Sequence, residues 1–139
     1  GSEPVTRLEA AQMLLPLADD QLPAPELTDT AEEAARRAAA NRFFPLEKGC
    51  FAPRRTISRQ EMATVAMQAC GVNYRNASST MPVCTDVDRV ANNYGTNAAR
   101  ALYFGFMQLE ADGRFDPERP VSRKEAVEIL DRVADFAGL

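Results

Sequence analysis

One stretch of the chain occurs more than once, and this internal repeat limits the possible folds more than any other feature of the sequence. Residues 113–125 read Gly-x-Phe-x-Pro, a short spacer, an aliphatic residue, Ser, Arg, any residue and Glu. Residues 49–61 have the same residue types at the same offsets, and residues 4–9 repeat the last part of the pattern. Three copies of one pattern indicate a fold made of equivalent units.

Each copy contains the sequence signature of a helix start. A Ser or Thr stands three residues before a Glu, which is the spacing of a capping box. An aliphatic residue precedes each cap and can pack on the fourth helical position as a hydrophobic staple. Apolar residues then follow at the i, i+3, i+4, i+7 spacing of one buried helical face. The predicted box pairs are Thr6 and Glu9, Ser58 and Glu61, and Ser122 and Glu125, preceded by Val5, Ile57 and Val121.

An arginine follows each cap, at Arg7, Arg59 and Arg123. A cation in the first turn opposes the helix dipole by about 0.3–1 kcal/mol, so a reason for the repeated choice is needed. One interpretation is an arginine bonded to a carbonyl or carboxylate of the neighbouring copy. The other is an anion site, in which first-turn amides and a guanidinium fork receive a carboxylate or phosphate. The repetition alone favours neither interpretation.

Arg54 and Arg55 lie close to Arg59, which makes three cations within six residues. A run of charges on a loop is typically a solvated surface. A local excess of positive charge also raises the concentration of anionic partners, so the cluster supports an anionic partner at this helix start.

The repeated residues resemble the repeat of the S-layer homology (SLH) family of bacterial cell-surface proteins. Copy three (84–139) resembles it best, from Thr85-Asp86-Val87 to the helix after Ser122. Copy two (26–72) is shorter by seven residues between its Asp and its Phe, and copy one (3–25) has only the second half. The resemblance implies one all-α domain of short helix pairs in pseudo-symmetric repeats, with a core like a three-helix bundle.

The resemblance also implies a function. Members of the family attach their parent protein non-covalently to an anionic, often pyruvylated, secondary cell-wall polysaccharide, and the arginine after the cap is the main ligand contact. Copy three keeps the Asp-Gly that precedes the family's Phe, and has a Tyr near the position of the family's Trp. The residues expected to bind ligand are therefore Arg7, Arg59, Arg123, Arg55, Asp112, Gly113 and Tyr94.

The expected location is the bacterial cell surface or cell wall. Gly1-Ser2 ahead of a start within a repeat is typical of an expression remnant, so we read the chain as a piece of a larger exported protein. The alternative hypothesis is an SLH-like structural or protein-interaction module that packs against the rest of its parent and has lost glycan binding.

Composition argues against other classes of function. Sixteen basic and twenty acidic residues give a net charge of -4, which disfavours a nucleic-acid surface. The sequence has no run of eighteen apolar residues, so it predicts no membrane span. The chain has no His and no Cys-x-x-Cys pair, so we expect neither zinc nor a cysteine or serine mechanism, and predict a non-catalytic protein without cofactor.

The three cysteines leave two interpretations. A bridge between Cys70 and Cys84 would cross the second linker in an oxidising compartment, whereas three free thiols would act as small hydrophobic residues. We favour the free thiols.

Further helices and two linkers complete the prediction. Pro16 should end the first helix near Leu15, and Asp29 or Thr30 should cap an Ala-rich helix that ends near Asn41. Phe51 should be buried beneath its turn. Helices are also expected over 90–106, ending at Gly105, and over 123–136, with linkers at 19–25 and 73–82.

Overall fold

The computed structural model describes residues 1–71, 81, 82 and 84–139 of the chain. These residues form five α-helices and two short 3-10 turns, with no β-strand among them, so the predicted all-α class is confirmed. The helices are α1 (Arg7–Leu14), α2 (Glu33–Ala40), α3 (Arg59–Ala69), α4 (Gly95–Tyr103) and α5 (Arg123–Phe136), and the 3-10 turns are Leu15–Leu17 and Val87–Arg89. Pro16 lies in the turn that ends α1, as predicted.

The three copies of the capping pattern begin α1, α3 and α5, as predicted. Thr6 and Ser58 form complete capping boxes with the Glu three residues later. In α5 only half of the box forms, because Ser122 accepts from the amide of Glu125 while the Glu125 carboxylate turns to arginines instead. The aliphatic residues before the caps and the fourth helical positions are all buried: Val5, Ile57, Val121, Ala10, Met62 and Ala126.

The starts of these three helices are joined by main-chain hydrogen bonds into a closed ring, which we call the backbone ring. The amide of Arg7 donates to the carbonyl of Arg55 at 2.8 Å, and that of Arg59 donates to the carbonyl of Arg119 at 3.0 Å. The amide of Arg123 closes the ring on the carbonyl of Glu3 at 3.0 Å. Each acceptor lies four residues before the arginine of its own copy, so the three links are related by a pseudo-threefold axis. First-turn amides, which have no partner within a helix, are satisfied in this way.

The helix pairs follow the same pseudo-symmetry, except at one corner. α1 packs on α2 and α3 packs on α4, while α5 contacts both α1 and α3. No described helix covers α5 in the way that α2 covers α1. Val127 of α5 is therefore 45% exposed, whereas the equivalent Ala11 and Ala63 are buried. Copy one, which lacks the first half of the repeat, leaves this corner open.

In copies two and three, an Asp carboxylate holds the Gly-x-Phe turn by accepting hydrogen bonds from its amides. Asp29 was predicted to cap α2, but its two oxygens accept from the amides of Phe51 at 2.9 Å and Ala52 at 2.8 Å. Asp86 does the same in copy three, where it accepts from the amides of Phe115 and Asp116, both at 2.8 Å. The prediction that Phe51 is buried is confirmed, and Phe115 is equally buried.

These amide bonds alter the acidity of both carboxyls. The bonds from Phe51 and Ala52 lower the pKa of Asp29. Burial opposes the charge on Asp86, but the amides of Phe115 and Asp116 outweigh it, so the pKa of Asp86 also lies below its ordinary value. A carboxyl with a lowered folded pKa stabilises the fold above its unfolded pKa of about 3.9 and loses that contribution as pH falls toward the folded pKa.

Replacing Asp86 by Asn should lower the free energy of unfolding at pH 7 by about 1–3 kcal/mol, because the amide group of Asn cannot accept from the second backbone donor. The difference from the unchanged protein should shrink at pH 3, where the carboxyl of Asp86 loses its charge-dependent advantage. Urea unfolding at both pH values measures this. Asp131→Asn, on the exposed side of α5, is the control. A difference in the free energy of unfolding that is as large at pH 3 as at pH 7 would contradict this role of the Asp86 carboxylate.

Other expectations need correction. α2 begins at Glu33 with no side-chain cap, and the helix predicted over 90–106 is reduced to α4, since residues 92–94 form turns. Gly105 ends it with φ of 78°, as predicted. All three cysteines are free thiols, and Cys70 and Cys84 are buried. The predicted linker at 73–82 lies outside the described residues except for its last two.

Candidate functional site

Two of the three repeated arginines are buried and bound within the chain. The Arg7 Nε donates to the carbonyl of Phe51 at 2.6 Å, and its NH2 to the carbonyl of Pro45 at 2.8 Å. Arg59 repeats this arrangement in the next copy, where Nε donates to Phe115 at 2.6 Å and NH2 to Gln108 at 2.6 Å. Each side chain is only 3% exposed. The internal partner that the sequence left open is therefore present for both.

Each buried guanidinium also lies against the ring of the Phe whose carbonyl it binds. The distance from Cζ to the ring centroid is 5.0 Å for Arg7 with Phe51 and 5.0 Å for Arg59 with Phe115. Such contacts contribute about 0.5–2 kcal/mol when desolvated. The arginine after the cap thus attaches one helix start to the Gly-x-Phe turn of the next copy.

Arg123 binds no such turn within the described part of the chain. Its guanidinium donates to carboxylates instead, from Nε to Glu9 and from NH1 to Glu3 at 3.1 Å. The side chain remains 44% exposed. The hydrogen bond from Arg123 lowers the pKa of Glu9, so the pair is charged at neutral pH.

A groove between copies one and two contains the half-exposed guanidinium of Arg55, and we call it the Arg55 groove. It is a cavity of about 100 Å³ lined by Arg7, Pro45, Glu47, Cys50, Ala52, Arg55, Glu61 and Tyr94. Arg55 is 49% exposed and makes one ion pair, to Glu61 at 3.0 Å. Tyr94 reaches this groove from copy three. Three of the predicted ligand residues therefore meet here: Arg7, Arg55 and Tyr94.

The equivalent groove in copy three is lined with carboxylates, and we call it the Arg119 groove. It measures about 490 Å³ and is lined by Glu110, Ala111, Asp112, Arg114, Asp116 and Arg119. Arg119, which corresponds to Arg55, donates to Glu110 at 2.8 Å and to Glu125 at 3.0 Å. Its Glu110, Asp112 and Asp116 stand at the positions of Leu46, Lys48 and Ala52 in copy two, whereas the carboxylates that line the Arg55 groove are Glu47 and Glu61.

The two grooves differ in their electrostatics as a result. Burial, and next the positive charge of Arg55, lower the pKa of Arg7 below its ordinary value. Burial also opposes the charge on Arg119, but the carboxylates of Glu110 and Glu125 outweigh it and raise the pKa of Arg119. The carboxylates of Glu61 and Glu47 oppose these effects on Arg7 but do not outweigh them, so the pKa of Arg7 stays below its ordinary value.

The remaining predicted residues lie at the rim of the Arg119 groove. Asp112 is exposed and accepts from Nε of Arg114 at 2.7 Å. Gly113 has φ of 84°, a left-handed conformation that favours glycine, and Gly49 has the same role in copy two. The structure therefore separates the predicted ligand residues into the Arg55 groove, the Arg119 groove and the exposed corner at Arg123.

Sequence reasoning missed two contributors to these grooves. Arg119 precedes its cap by three residues, as Arg55 does, and this shared offset was visible in the alignment of the copies. Pro45 supplies both a wall of the Arg55 groove and the carbonyl that holds Arg7. Nothing in the sequence pattern singles out Pro45, because its role depends on the path of the loop.

Two kinds of site are absent from the described part of the chain. None of its helices has the length and apolar character to cross a bilayer. Its His, Cys, Asp and Glu side chains form no group of three or more able to hold a metal ion.

This ring of capped helix starts is the architecture of a repeat module, and part of copy three matches a known family model. Residues 85–127 match the family model of the S-layer homology domain, which confirms the resemblance found in the sequence. The fold of the whole chain is similar to part of the undecaheme cytochrome from the S-layer of Carboxydothermus ferrireducens, with a TM-score of 0.56 and 16% identity. That match covers 99% of this chain and 18% of the cytochrome chain, and at this identity it concerns the fold alone. No curated protein matches the chain.

S-layer homology domains are non-catalytic modules that anchor proteins at the bacterial cell surface and generally bind cell-wall polysaccharide. The match at residues 85–127 therefore indicates association with the cell surface or cell wall.

Proposed function

We propose that this chain is a non-catalytic anchoring module that binds an anionic secondary cell-wall polysaccharide in the Arg55 groove. The observation that carries the proposal is the contrast between the two equivalent grooves. Arg55 is half exposed and pairs with Glu61 alone, whereas Arg119 pairs with the equivalent Glu125 and also with Glu110. The carboxylates of the Arg119 groove stand where an external anion would have to bind.

The size of the Arg55 groove fits a substituent rather than a whole ligand. Ligand pockets typically measure about 300–1,000 Å³, and this cavity holds about 100 Å³. A carboxylate on a sugar, such as ketal-linked pyruvate, would enter it and pair with Arg55. Tyr94 at its edge offers an aromatic face and a hydroxyl to the sugar ring.

The roles of the repeated arginines follow from their contacts. Arg7 and Arg59 position the turns, and Arg7 adds positive potential from beneath the groove.

We further propose a single domain whose units are 3–25, 26–72 and 84–139, carried at the cell surface by a larger exported protein. A scaffold role without glycan binding is the second candidate, and the internal bonds of Arg7 and Arg59 favour it.

Binding to purified bacterial cell-wall sacculi tests the proposal. We expect the chain to sediment with sacculi that keep their secondary polysaccharide and not with acid-extracted sacculi, and we expect high salt to weaken binding. Arg55→Gln should reduce affinity about tenfold or more, because it removes a charge-assisted hydrogen bond worth about 1.5–3 kcal/mol.

The matched control is Arg119→Gln, which changes the equivalent residue in the carboxylate-lined groove and should leave binding unchanged. Thermal unfolding of both variants shows that each is folded. Absence of binding, or equal binding by the unchanged protein and Arg55→Gln, would contradict glycan anchoring and support the scaffold role.

A further inference from the structure

A second cleft shares Pro45 and Tyr94 with the Arg55 groove, and we call it the Arg42 cleft. It measures about 530 Å³, within the usual range of ligand clefts. The same two residues also line a small cavity of about 40 Å³. The residues of the cleft that bear on its chemistry are Arg42, Phe43, Leu46, Asn93 and Tyr94.

Arg42 is exposed, and its side chain has no hydrogen-bond or ion-pair partner among the described residues. Its backbone has φ of 59°, the left-handed region that non-glycine residues seldom occupy. The amide of Arg42 donates to Ala39 and that of Phe43 donates to Ala38, which is the hydrogen-bond pattern of a Schellman helix end.

The equivalent helix end in copy three uses glycine. Gly105 has φ of 78° and follows α4 with the same bond pattern, from Gly105 to Leu102 and from Phe106 to Ala101. The chain thus has a glycine at one of these positions and an unpartnered arginine at the other, although glycine is the residue that this conformation favours. A residue that is held in an unfavourable conformation without an internal contact points to a role outside the fold.

We propose that Arg42 is a second anion subsite, so that the module binds an internal stretch of a repeating anionic polysaccharide rather than a single terminal sugar. This inference rests on the proposed function. One acidic substituent pairs with Arg55, the chain passes Tyr94, and the acidic group of a following unit pairs with Arg42. Asn93 supplies an amide for the hydroxyl groups between them.

Size-fractionated polysaccharide released from the same sacculi tests this inference by titration calorimetry. The unchanged protein should bind longer fractions more tightly than the shortest fraction. Arg42→Gly should reduce affinity for the longer fractions about tenfold, the effect of losing one charge-assisted contact, with affinity for the shortest fraction unchanged. The same variant should raise the melting temperature, because glycine suits the left-handed helix end.

Lys124→Ala, an exposed cation at another corner, should leave every affinity unchanged. Equal affinity of the unchanged protein for all fractions, or full affinity of Arg42→Gly for the longer ones, would overturn the second subsite while anchoring through Arg55 still held. Failure of every fraction and of intact sacculi to bind would overturn the proposed function together with the subsite.

Discussion

Replacing Arg59 by methionine should lower the free energy of unfolding by about 3–5 kcal/mol, although methionine keeps most of the apolar volume. The substitution leaves the buried carbonyl of Phe115 and the more exposed carbonyl of Gln108 without their donor. It also removes the 2.6 Å ion pair to Glu125, whose carboxylate would stay partly buried beside Arg119 alone. Loss of one partner from a buried pair costs more than the pair itself contributes.

The matched control is Arg123→Met, at the equivalent position of copy three. Its side chain is 44% exposed and pairs with carboxylates that water can solvate, so the expected loss is much smaller than that of Arg59→Met. Urea unfolding at pH 7 measures both variants. Similar losses for the two would show that the internal bonds of Arg59 do not stabilise the fold.

Deleting residues 1–5 should destabilise the whole chain by about 3–5 kcal/mol, from one buried Val side chain and several main-chain hydrogen bonds. Val5 is fully buried and its amide donates to Val121 at 2.8 Å. The carbonyls of Gly1 and Glu3 accept from the amides of Lys124 and Arg123, each at 3.0 Å. All of these contacts close the backbone ring between copies one and three.

We expect the deletion to lower the melting temperature by about 10 °C or more while unfolding stays a single transition. Deletion of residues 138–139, where Leu139 is 69% exposed, is the control and should cause only a small change. If the chain without residues 1–5 melted within a few degrees of the full chain, or if one pair of copies unfolded separately, the ring would not be the element that unites the fold.

The helix starts could be predicted because their chemistry is local. A Ser or Thr, a Glu three residues later and an aliphatic residue before the cap lie within six positions, so each sequence window contains all the partners. α1, α3 and α5 begin where this pattern places them. The same reasoning fails for Glu125, because Arg59 competes for its carboxylate from 66 residues away.

The candidate site could be predicted only in part, because it depends on which copies meet. A guanidinium at a helix start can bind an internal carbonyl or an external anion with the same donors, and only the path of the neighbouring turn decides between them. Asp29 shows the same ambiguity, since a carboxylate near a helix start can cap it or can accept from another loop. The ligand roles of Arg55 and Tyr94 stay predictions, to which the structure adds Arg42.

The backbone ring also determines how the chain would respond to tension between its two ends. Gly1 and the start of α5 are neighbours in an antiparallel pair, so pulling on the two ends separates that pair from one side. The bonds of an antiparallel pair lie perpendicular to its strands and would open one after another instead of resisting in shear. The corner between copies one and three would therefore yield first, while the links through buried Arg7 and Arg59 would still hold the other copies together.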